Sequence, residues 1–88
     1  MITRDFEVLA SVGLHARPAA MLAEMAKNSS VGIQVGRVEG DLINASSTLR
    51  MLTLKIKQGE TLRVAIDTED QEMADDAFAK IAEFIAED

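Results

Sequence analysis

The chain has 88 residues, 48% of them apolar, only three aromatic residues (all Phe), no cysteine and a formal net charge of −6. One domain over residues 1–88 follows from that length, with a core of aliphatic side chains and alanine. Disulfides, thiolate catalysis and cysteine metal sites are excluded, and the acidic balance argues against nucleic acid as a partner.

No run reaches the ~20 apolar residues of a membrane helix, and "MITRDFEV" lacks the apolar stretch of a signal peptide. A cytoplasmic protein with no membrane insertion is therefore expected. The negative charge is uneven. Residues 69–88 carry Glu69, Asp70, Glu72, Asp75, Asp76, Glu83, Glu87 and Asp88 against Lys80 alone, whereas the first 68 residues hold seven acids and eight bases. The surface around Arg17 and Lys27 can be positive under a negative total.

Taken in chain order, residues 2–8 alternate in polarity. Phe6 and Val8 point inward as in a half-buried strand, with Arg4 as a blemish on the same side. Ser11-Val12-Gly13 reads as a turn. From Ala16 to about Asn28, Ala16, Ala19, Ala20, Ala23 and Ala26 recur at helical spacing beside Leu22. Pro18 sits in the first turn, where its missing N–H costs nothing.

Residues 31–35 alternate again and pair across "GRVEGD" with 42–45 as a hairpin. Ser46 or Ser47 is a natural N-cap for a short helix through about Leu54. After "KQGE", residues 61–67 alternate with Leu62, Val64 and Ile66 inward. A final helix places Ala74, Ala77, Phe78, Ile81, Ala82 and Ile85 on one face, with acids in its first turn and on the opposite face. The order β-α-β-β-α-β-α, with strands buried on one face only, predicts an α+β fold. This is an open-faced sandwich, a four-stranded antiparallel sheet covered on one side by three helices.

His15 and Pro18 are the only histidine and the only proline of the chain. The bland reading makes His15 a helix-start residue. Metal ligation is a poor alternative, since one His without Cys leaves only carboxylates to complete a site. A hydrolytic triad lacks a nucleophile elbow. The surroundings suit a different chemistry. A side chain just before a helix faces the unbonded N–H groups of its first turn and the positive end of its dipole, a ready anion site. Arg17 adds a permanent planar cation able to pair with phosphate oxygens, and imidazole is a nucleophile that titrates near neutrality. Small Ala16, Ala19 and Ala20 leave the ring uncovered. The constellation suits a phosphohistidine carrier.

"GLHARPAA", residues 13–20, resembles the active-site signature of the HPr family, the histidine-containing phosphocarrier proteins of the bacterial phosphoenolpyruvate-dependent sugar phosphotransferase system. The resemblance extends over the whole chain, through length, element order, the "S-x-L" helix start and "QGE" before the last strand. It implies that His15 accepts a phosphoryl group at Nδ1 from phospho-Enzyme I and passes it to IIA domains of sugar permeases. Arg17 and the backbone N–H groups of Ala16 and Arg17 would hold the phosphate. The implied carrier is a monomer with no bound cofactor; Enzyme I draws the group from phosphoenolpyruvate with magnesium. The alternative within the family is a nitrogen-related or catabolite-regulatory homologue that acts by phosphorylation-dependent protein binding.

The resemblance also implies a regulatory serine at the start of the second helix, the target of a serine kinase/phosphorylase. Ser47 occupies that place when counted back from Gly59, with Ser46 as its rival and simple N-capping as the plainer role. Partner docking is implied for Ala20, Ala23, Lys27, Leu49 and Leu52, whose plainer role is core packing. Two departures stand out. Thr48 replaces an aliphatic residue common in relatives, which bears on docking and kinase recognition. "SVG" replaces a more polar turn before the signature, which removes a side-chain contact to the phosphoryl site.

Overall fold

The strand Thr61–Ile66 is the one around which the sheet is built. Leu62, Val64 and Ile66 are fully buried on one face, and both of its edges are paired. The computed structural model describes residues 1–86. In chain order the elements are β1 (Ile2–Glu7), α1 (Ala16–Asn28), β2 (Ile33–Arg37), β3 (Ile43–Asn44), α2 (Thr48–Leu52), β4 (Thr61–Ile66) and α3 (Gln71–Ala86). The sheet runs β1-β4-β2-β3 with every pair antiparallel, in registers such as Phe6↔Leu62, Val35↔Val64 and Val35↔Ile43. It is the expected open-faced α+β architecture. Among the described residues no helix is long and apolar enough to cross a membrane.

The three helices bury their apolar stripes on the sheet. α1 contributes Pro18, Ala19, Leu22 and Ala23, α2 contributes Met51, and α3 contributes Ala74, Phe78, Ile81 and Ile85. The Phe78 ring meets Phe6 at 5.9 Å between centroids, tilted by 48°. Arg4 shares the Phe6 side of β1 and is accounted for by the same ring. Its guanidinium lies 4.6 Å from the Phe78 centroid and bonds Asp75 at 3.0 Å, so it closes the rim of the core as a cation over an aromatic face. On the open face, Arg63 grips Asp5 with two hydrogen bonds of 2.8 and 3.0 Å, and that bonding lowers the Asp5 carboxyl below its ordinary value.

Four local expectations shift. The stripe of α1 centres on Ala19, Leu22 and Ala23, which leaves Ala16 and Ala20 exposed. β2 covers 33–37 instead of 31–35, because Gly36 and Arg37 continue the ladder against Arg63 and Leu62. The segment before β3 also packs closely on Gly36: a Cβ there would sit 2.5 Å from Asp41 O and 3.2 Å from Leu42 Cα. β3 keeps two residues of the expected four. α2 ends at Leu52 because the following N–H groups turn to i−3 carbonyls, Leu54 to Met51 and Lys55 to Leu52. Lys55 then enters the left-handed region at φ 53°, which stops the helix. Glu87 and Asp88, counted among the C-terminal acids, lie outside the described residues.

Candidate functional site

The loop between β1 and α1 carries the signature, and its shape is set from below. Gly13 has φ 72° and packs so tightly on the 54–60 turn that a Cβ would overlap the Ile56 carbonyl oxygen and lie 2.9 Å from Lys57 Cα. Only glycine satisfies both conditions. Leu14 follows, 6% exposed, and its N–H donates to the Ile56 carbonyl at 2.9 Å. The loop is also tied at its start. Val8 N–H donates to Glu60 O at 2.9 Å, Gly59 N–H to Val8 O at 2.8 Å, and the Gln58 amide to Leu9 O at 3.1 Å. The loop therefore delivers the next residue, His15, from a fixed base.

His15 is the N-cap of α1, in extended backbone conformation, and its side chain makes no capping hydrogen bond. The first backbone N–H bonded within the helix belongs to Ala19, which donates to His15 O at 3.2 Å. Pro18 has no N–H, so the Ala16 and Arg17 amides precede the helical ladder. No acidic side chain occupies this first turn, so nothing on the helix itself neutralises its positive end. The imidazole is half-buried. Its Nε2 is enclosed without a hydrogen-bond partner. Arg17, one residue into the helix, is exposed on the same first turn. The site thus combines an imidazole, a helix N-terminus without an acidic residue in its first turn and a guanidinium within three consecutive residues. That is the equipment to accept and hold a tetrahedral anion.

The remaining predicted residues separate. Ser47 is the N-cap of α2, and its Oγ accepts from Arg50 N–H at 3.2 Å; Ser46 is held by its own N–H to Asn44 Oδ1 at 2.9 Å. Leu49 is 75% exposed, and Ala20 and Lys27 are also at the surface. Leu52 is half-buried against the core. Ala23 is a correction: at 1% exposure it lies within the core, because i, i+3 and i+4 from Ala19 all face the sheet, and it offers no surface to a partner. Val12, in the unusual "SVG" turn, is 65% exposed, and Leu9 beside it is 60% exposed.

One group of residues escaped the sequence reading. Arg37 and Glu60 bond across the 54–60 turn at 2.8 and 3.2 Å. The Arg37 guanidinium, then the Lys57 N–H, hold the Glu60 carboxyl down at about 2. Both residues looked like loop charges in the sequence. Nothing in their spacing linked them, since the pairing depends on how β2 and β4 lie side by side.

Fold and site together define a class: a small open-faced sandwich that presents a single imidazole at the mouth of its first helix. Known proteins carry the assignment further. The family profile PTS-HPr, described as "PTS HPr component phosphorylation site", matches residues 2–87, and the chain belongs to that family. A phosphocarrier protein HPr from Haemophilus influenzae is 39% identical over 74 residues, which covers 84% of this chain and 86% of that protein. A multiphosphoryl transfer protein from Vibrio cholerae is 36% identical over 82% of this chain but only 18% of its own length. Among solved structures, HPr from Thermoanaerobacter tengcongensis superposes with a TM-score of 0.78 at 29% identity, over 98% of this chain and 96% of that one.

Proposed function

We propose that this chain is a one-domain, cytoplasmic, monomeric phosphocarrier that takes a phosphoryl group from phospho-Enzyme I onto His15 and passes it to IIA domains of sugar permeases. The observation that carries the reading is His15 at the N-cap of α1, with no capping bond of its own and with Nε2 enclosed. An incoming phosphorus then meets Nδ1. The Nδ1 lone pair forms the N–P bond as the bond to the donor breaks, and the proton of the neutral ring stays on Nε2. The phosphoryl oxygens point at the first-turn amides of Ala16 and Arg17 and at the Arg17 guanidinium, which stabilise the charge without trapping the group covalently. Return attack by an acceptor reverses the same step.

Exposed Ala20, Lys27 and Leu49, with half-buried Leu52, supply the docking surface in this reading, and Ser47 is the site where a kinase would act. A phosphate there meets a helix N-terminus that tolerates it, so regulation would come from added charge on the docking surface. The test is incubation with Enzyme I, magnesium and phosphoenolpyruvate, followed by intact mass. One acid-labile phosphate on wild type and none on His15→Ala is expected. Equal labelling of His15→Ala, or no labelling of wild type by either the sugar or the nitrogen-related Enzyme I, would refute the carrier reading; a preference between the two donors assigns the branch.

A further inference from the structure

The loop that presents His15 rests on residues 54–60, and that turn has little regular structure to hold it. It begins where α2 unwinds, passes through Lys55 at φ 53° and closes through Gly59 at φ 87°. What spans it is one side chain from another part of the sheet. Arg37, the last residue of β2, donates from Nε to Leu54 O at 3.0 Å and from one terminal nitrogen to Lys55 O at 2.8 Å. Two further hydrogen bonds reach both oxygens of Glu60. Glu60 in turn accepts from Lys57 N–H at 2.7 Å. One guanidinium thus grips both ends of the turn.

The middle of the turn supplies the carbonyl that receives Leu14 N–H and the surface against which Gly13 is pressed. We propose that Arg37 is a positioning residue for His15: by clamping Leu54, Lys55 and Glu60 it fixes the shelf on which the 8–14 loop hangs, and so sets the place of the imidazole at the α1 N-terminus. The planar fork is essential to this role. It serves four acceptors in fixed directions, whereas a lysine ammonium with three flexible donors serves fewer of them and without the same geometry.

The inference rests on the carrier reading for its functional half, and its structural half stands separately. The test compares wild type with Arg37→Met and Arg37→Lys by amide hydrogen exchange and by the NMR signals of the His15 ring. Pre-steady-state phosphorylation by phospho-Enzyme I completes the comparison. Exchange at Leu14 is expected to rise at least about tenfold in Arg37→Met while Ile81, inside α3, changes far less. The ring signals should broaden or move, and the maximal rate of phosphoryl uptake should fall about tenfold, since small misplacements of a reacting group are costly. The apparent KM should hold, because Arg37 spends its donors within the chain. Arg37→Lys should recover only part of each effect.

Equal acceleration at Leu14 and Ile81 would overturn the proposal in favour of a merely global loss of stability. Unchanged Leu14 exchange, or a loosened Leu14 with unaltered His15 signals, would also overturn it. If wild type takes up no phosphate, the carrier reading fails, and the exchange and ring signals still decide whether Arg37 places His15.

Discussion

Gly13 is under two constraints at once, a positive φ and a close approach of backbone, and Gly59, under the first alone, is its control. Gly13 and Gly59 both have positive φ, at 72° and 87°. A Cβ on Gly59 would meet nothing within 4 Å, whereas one on Gly13 would be driven into the Ile56 carbonyl and to 2.9 Å from Lys57 Cα. Gly59→Ala therefore measures the left-handed conformation alone, about 1–2 kcal/mol for a residue with a Cβ. Gly13→Ala adds displacement of backbone that has no flexible end to swing aside. The 2.9 Å bond from Leu14 N–H to Ile56 O is the first casualty, and leaving a buried donor unpaired costs about 1–3 kcal/mol.

The sum for Gly13→Ala is about 2–5 kcal/mol. In a domain of this size each kcal/mol moves the melting temperature by about 4–8 °C, so a fall of about 8–40 °C is expected. Urea and thermal unfolding of both variants, with exchange at Leu14 as a local probe, check the reasoning. Equal destabilisation by the two substitutions would show that the close approach at Gly13 has no energetic weight. A cost below about 1 kcal/mol for Gly13→Ala would refute the argument altogether.

Other consequences follow from single contacts. The Glu60 carboxyl is held at about 2, against 4.5 as its ordinary value, by Arg37 and the Lys57 N–H. A depressed carboxyl contributes stability above its unfolded value and loses it as pH falls toward the folded one. The urea midpoint difference between wild type and Glu60→Gln should thus be present at pH 7 and shrink as pH is lowered from about 4.5 to about 2; a difference that stays constant would contradict the clamp's charge. Ser47→Ala removes the α2 cap bond to Arg50 and should cost about 1 kcal/mol in unfolding experiments, with Ser47→Gly milder. Leu49→Ser, at a position 75% exposed, should leave stability within about 0.5 kcal/mol while raising the KM for phosphoryl transfer; a large stability loss would place Leu49 in the core.

The parts legible in the sequence were those governed by neighbours along the chain. Alternation gave β1 and β4 their inward faces, and α1 begins and ends where Pro18 and "KNSS" suggested because both signals are local. His15 was legible as a helix-start residue for the same reason. Precision was lost where partners across the sheet decide. Val31 satisfied the alternating pattern, yet the ladder begins at Ile33, opposite Ile66. Ala20 and Ala23 looked equivalent as small residues one turn of pattern apart; helix rotation on the sheet buries one and exposes the other. Arg4 read as a defect because no one-dimensional pattern places an α3 ring beneath it.

The same division explains the site itself. The signature supplies the nucleophile, the helix end and the cation in consecutive residues, so the chemistry can be inferred without knowing the fold. Which ring nitrogen reacts is a different kind of fact. In the proposed carrier it follows from the enclosure of Nε2, next to a loop pinned at its base. Gly13 and Leu14 lean on Ile56, and the turn that carries Ile56 is spanned by Arg37 from β2. A local motif thus offers the reactive group of the proposed carrier, while contacts between residues more than fifteen positions apart hold the loop that presents it.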